Sequence, residues 1–95
     1  MHEHGITSRL LEIVLERAAI DGADRISNVH IEIGEESDIA PAALEHYWPE
    51  LSAGTPAEGA RLVFATAADP WACRVVAIDV PDPALTPPPG NSPGI

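Results

Sequence analysis

Cysteine is nearly absent from this 95-residue chain, in which Cys73 stands alone. A single thiol excludes an intramolecular disulfide and a thiolate-rich zinc site, so no structural zinc is expected. Long apolar runs are missing as well. No stretch approaches the roughly 20 residues that span a bilayer, and the first twenty residues mix Glu, Arg and His with Leu and Ile, unlike a signal peptide. The expected compartment is the cytoplasm. Basic residues are scarce, 5 against 15 acidic ones, and the formal net charge is -10. Such a chain repels nucleic acid and anionic membrane surfaces and attracts cations and basic protein surfaces. There is no nucleophile with an adjacent base and no Gly-rich phosphate loop, so an enzyme is not expected.

What the chain does have is enough apolar residues, 45%, for one two-layer core. Residues 6–20 read as a helix, with Ile6, Leu10, Leu11, Val14, Leu15, Ala18 and Ala19 at three- and four-residue steps and Arg9, Glu12, Glu16 and Arg17 on the polar side. Thr7 or Ser8 can cap its start, and Gly22 suits the left-handed position past its end. Residues 25–33 alternate as a half-buried strand, Val29, Ile31 and Ile33 inward and Asn28, His30 and Glu32 outward, until Gly34 ends it. Pro41 fits the first turn of a second helix, whose face carries Leu44, Tyr47, Trp48 and Leu51. Pro49 should kink that helix or end it early, at a cost of about 3 kcal/mol if it stays regular.

Two more strands follow, residues 60–67 with Leu62, Phe64 and Thr66 on one face, and residues 73–80 with Val76, Ile78 and Val80 on one face. The five residues between them suit a hairpin turn and an antiparallel pair. The helical crossover before residue 60 favours a parallel neighbour, so a mixed sheet is predicted. The fold class is therefore α/β, in the α+β two-layer sense: two helices packed on one face of a three-stranded mixed sheet. Six prolines among residues 81–95 predict an extended, largely disordered tail after a domain of residues 1–80. Exposed sheet edges leave a homodimer open.

The chemistry concentrates in Met1-His2-Glu3-His4. A free Met1 amine, the His2 amide nitrogen and the His2 ring can close two fused chelate rings around one metal ion. Nitrogen donors in a plane suit nickel(II) or copper(II), whereas zinc prefers a tetrahedron. Glu3 or His4 can supply a fourth donor. The competing expectation is a frayed, solvated terminus whose histidines are spectators.

The Met1-His2-Glu3 start, Leu10-Leu11-Glu12-Ile13-Val14, Ile33-Gly34-Glu35, Pro41-Ala42-Ala43-Leu44 and Gly54-Thr55-Pro56-Ala57-Glu58-Gly59-Ala60 occur in an order and spacing that resemble the HypA/HybF family of nickel metallochaperones for nickel-iron hydrogenase and urease maturation. The resemblance runs from Met1 to about Ala67, and Val76-Ala77-Ile78-Asp79-Val80 looks like the family's closing strand. It implies that His2 is the principal Ni(II) ligand, that the Met1 amine and nearby backbone nitrogens complete the site, and that Glu3 tunes it; a role for His4 goes beyond the family pattern. It further implies delivery of Ni(II) during hydrogenase maturation, with a HypB-like GTPase or the hydrogenase large-subunit precursor as partner. Family members carry a zinc-binding lobe of two Cys-x-x-Cys pairs between the last two strands, and here Asp69-Pro70-Trp71 stands in its place. A metal-free adaptor or regulatory module of the same machinery is the alternative, separated from a carrier by whether extra residues before Met1 are tolerated.

The other candidates have plainer expectations. His30 and His46 read as surface residues, Trp48 as core, Trp71 as either a partner anchor or a packed turn residue, and Cys73 as a strand residue with only Arg74 nearby to lower its pKa. The acidic run Glu32, Glu35, Glu36 and Asp38 reads as a solvated loop or as a face for a basic surface on the GTPase.

Overall fold

The computed structural model describes residues 2–81, with side chains from His4 onward. Met1, the His2 and Glu3 side chains and the proline-rich tail beyond Pro81 lie outside the described residues.

The chain forms α1 (His2–Ile20), β1 (Asn28–Ile33), α2 (Pro41–Ser52), β2 (Arg61–Thr66) and β3 (Cys73–Asp79). The first helix begins four residues earlier than its apolar period predicts. Thr7 is therefore no cap: it lies inside the helix, fully buried, and continues inward the stripe of Leu10, Leu11, Val14 and Ala18. The helix ends as its sequence requires. Gly22 has φ +68°, and the bonds Ala23 N–H to Ala18 O (2.8 Å) and Gly22 N–H to Ala19 O (3.2 Å) close a Schellman motif.

Pro41 opens α2 at its first turn. Of the two outcomes expected at Pro49, a kink or an early end, the end does not occur: the helix runs on to Ser52. Leu44, Trp48 and Ser52 are buried on both sides of it, and Trp48 Nε1 donates to Ala57 O at 3.3 Å, so packing holds the last turn in place. The hydrogen bond that Pro49 cannot make leaves the Glu45 carbonyl without its helical partner, on a residue exposed to water.

The sheet is mixed, in the order β2-β1-β3. β1 pairs with β2 in parallel, Ile31 opposite Phe64, and with β3 in antiparallel, Val29 opposite Ile78. The expected β2–β3 hairpin does not form. β1 is the strand whose inward residues are most fully buried, Val29 and Ile31, and it takes the centre. The short connection from β2 instead crosses over the end of β1 to reach its other side, a span of roughly 10 Å for one skipped strand. Gly34 N–H donates to Ala72 O (2.7 Å), Glu36 N–H to Pro70 O (2.6 Å) and Ala67 N–H to Ile33 O (3.0 Å), binding the crossing to the strand end. A Cβ on Gly34 would collide with the Asp69 carbonyl and the Pro70 backbone. Only glycine permits that approach.

The third strand also departs from the expected alternation. A bulge opposite His30 and Ile31 adds a residue to β3 and switches its parity. Cys73, Val75 and Ile78 face the core, whereas Val76 and Val80 are exposed. Both helices pack on the Val29–Ile31 side of the sheet, and among the described residues no helix lies on its other side.

Candidate metal centre

Because α1 starts at His2, the amides of positions 2–4 lie in its first turn, where no carbonyl within the helix can accept their hydrogens. A metal ion can therefore replace those protons without breaking a helical hydrogen bond. The same turn is the positive end of the helix dipole, about half an elementary charge. A cation is stable there only against anionic donors, which a deprotonated amide or the carboxylate of Glu3 provides. The chemistry of positions 1–3 suits such a chelate. Among the described residues no group of three or more His, Cys, Asp and Glu side chains is placed to hold a metal ion.

His4 is exposed and engaged. Its ring meets Tyr47 of α2 edge to face, with centroids 5.2 Å apart and planes at 86°. Tyr47 in turn meets His46 at 5.0 Å and 73°. These contacts bring together the N-terminal turn, Tyr47 and His46, an association that the helical period hid: it assigned Tyr47 to the apolar stripe and His46 to the surface beside it. The His4 ring thus looks toward α2.

The remaining candidates separate from this region. His30 points to the side of the sheet away from the helices, with Nε2 2.8 Å from Asp79 Oδ2. Asn28 Nδ2 donates to the same oxygen at 3.0 Å. These hydrogen bonds, that from His30 first, hold the Asp79 carboxyl below its ordinary pKa. Arg74 pairs with Glu32 at 3.1 Å on the same side. Burial pushes the Cys73 thiol up, which favours its neutral form. Trp48 is core, as expected, and Trp71 is 71% exposed.

A family model described as hydrogenase/urease nickel incorporation, metallochaperone, HypA matches residues 1–84, which include all five elements. Proteins named hydrogenase maturation factor HypA are similar: that of Thermococcus gammatolerans is 32% identical over 74 residues, 78% of this chain and 53% of the relative. The Thermococcus kodakarensis protein is 34% identical over the same shares. That of Chlorobium limicola is 40% identical over 62 residues, 65% of this chain and 53% of its own. The chain thus spans about half the length of the curated relatives it matches. A family model matched across every helix and strand, with relatives 32–34% identical over 78% of the chain, establishes that the chain belongs to the HypA family.

Proposed function

We propose that the chain is a nickel carrier, a non-catalytic accessory protein that takes up Ni(II) at its N-terminal turn and releases it during nickel-iron hydrogenase maturation. The observation that carries this reading is the start of α1 at His2, which leaves the amides beside the ligand-bearing positions without helical acceptors. The Met1 amine and the His2 amide and ring form the chelate, and Glu3 offsets charge. His4 becomes a further donor when the first turn opens and its ring leaves Tyr47. A HypB-like GTPase or the hydrogenase large-subunit precursor competes for these ligands and receives the ion in the cytoplasm. Among the described residues no helix is long and apolar enough to cross a membrane.

Amine and amide donors bind only after losing protons, so affinity falls steeply with acidification. The test is a calorimetric nickel titration of protein with a native amino terminus, repeated with one glycine added before Met1 and with His2→Ala. One site that both changes abolish supports the chelate. Equal binding by all three proteins, no binding by any, or an affinity indifferent to pH from mildly acidic to mildly basic conditions would overturn it. The adaptor alternative is favoured by one feature, the exposed Trp71 beside an apolar groove.

A further inference from the structure

The first helix and the start of β3 do not close on each other. Ile6, Leu10 and Ile13 of α1 form one wall of a groove, Trp71 and Cys73 the other, and Ile39 the floor; its volume is about 570 Å³. That lies within the roughly 300–1,000 Å³ of sites that bury a compact apolar group. Ile13 is 37% and Trp71 71% exposed, so the groove presents large apolar side chains to water. Trp71 is held in that position, since its backbone N–H donates to Asp69 Oδ1 at 3.0 Å within the turn fastened across Gly34. Among the described residues β3 has no strand on its outer side.

The charge around the groove is one-sided. Its two cations are answered locally, Arg9 by Glu12 and Arg74 by Glu32. Glu36 and Asp38 on the rim have no ion-pair partner among the described residues, and Glu35 stands beside them. A second copy of the chain would bring its own net charge of -10 against this rim, and an anionic membrane would be repelled by it. A cationic protein segment with large apolar side chains fits both the walls and the rim.

We propose that the groove is a docking surface for a basic, apolar segment of a partner protein. Ile6 lies one helical turn after position 2, about 6 Å along the axis, so a docked partner is held beside the N-terminal turn. Docking there shortens the path of ion transfer; this inference rests on the carrier reading only for that benefit, and the surface itself does not.

Overlapping 15-residue peptides covering the maturation GTPase and the hydrogenase large-subunit precursor, titrated into the full chain and followed by fluorescence anisotropy of labelled peptide, test the assignment. Bound peptides are expected to be cationic and to carry at least two large apolar residues. Ile13→Glu and Trp71→Ala, both at exposed positions, should weaken binding about tenfold or more, and Glu36→Gln with Asp38→Asn should weaken it less and flatten its salt dependence. Circular dichroism of each variant confirms an unchanged fold. The proposal is overturned if no peptide binds, if the bound peptides share no positive charge, or if binding survives both apolar-wall changes. Sedimentation showing a dimer that Ile13→Glu dissociates would assign the groove to a second copy instead. A nickel titration of the same variants keeps the two readings apart: peptide binding without nickel binding removes the carrier reading and leaves the docking surface standing.

Discussion

The N-terminal turn of α1 and the crossing at Gly34 are built on opposite plans. The turn carries the proposed nickel donors, and an exposed edge-to-face pair between His4 and Tyr47 ties it to α2. The crossing has no proposed ligand, yet three backbone hydrogen bonds fasten it to the end of β1 and the loop after it and its packing admits no Cβ. The proposed carrier chemistry thus sits at a lightly attached turn, and the tight packing sits where a strand must be skipped. Local stability and function are thereby divided between places.

Substitution at the crossing should have the largest effect. Gly34→Ala drives a methyl into the Asp69 and Pro70 backbone, and overpacking against a main chain that is itself hydrogen-bonded should cost about 3 kcal/mol, a sizeable part of the roughly 5–15 kcal/mol of a small domain. Urea denaturation measures it. A variant that unfolds at the parental midpoint would mean that the crossing yields, and the contrast between the two ends would disappear.

The mirror change is the added glycine before Met1. Nickel affinity should fall about a hundredfold or more, roughly 3 kcal/mol, while the urea midpoint stays put. Loss of both together would show that the terminus supports the fold and is not a free chelate.

The unequal legibility of the two regions has the same origin. The proposed chelate rests on local chemistry alone, an amine and an imidazole in adjacent residues, and can be put forward whatever the fold. The helices and the inward face of β1 were readable from the spacing of Leu10, Val14 and Ala18 and the alternation of Val29 and Ile31. The crossing was not, because a short loop with Asp69-Pro70 has the composition of a hairpin turn, and which strand takes the centre depends on contacts distant in sequence. The parity switch in β3 was hidden likewise, since a bulge leaves no local signature in Arg74-Val75-Val76-Ala77. The extension of α1 to His2 follows from Thr7, whose hydroxyl suggests a cap while its burial makes it a core residue. The groove needs α1, the residue 35–39 loop and β3 at once.

Loosening the turn should have a smaller effect. Tyr47→Leu removes the ring that His4 meets and should cost about 0.5–1 kcal/mol in global stability. Its signature is local: amide hydrogen exchange at residues 6–8, whose hydrogen bonds close the first turn of α1, should accelerate while the β1 amides keep their protection. Acceleration throughout the sheet would show that the turn and the core are one cooperative unit.

The far end of β1 offers a third mode of attachment, through side chains, and the difference between parent and variant in acid isolates it. Asp79 accepts from His30 Nε2 and Asn28 Nδ2, and those bonds lower its pKa in the folded state. A carboxyl whose folded pKa is depressed adds stability above its unfolded pKa, about 3.9, and loses it as pH falls through the lower folded value. Asp79→Asn should therefore be slightly less stable than the parent near neutrality, with the gap narrowing below about pH 4 and closing once the folded carboxyl is protonated. The pair is exposed, so water screens it and the effect should be the smallest of the four. Urea midpoints of parent and variant, followed from neutrality into acid, measure the gap. Curves that run parallel through the acid range would show that the side-chain link adds nothing, leaving the β1–β3 ladder alone to hold this end of the sheet.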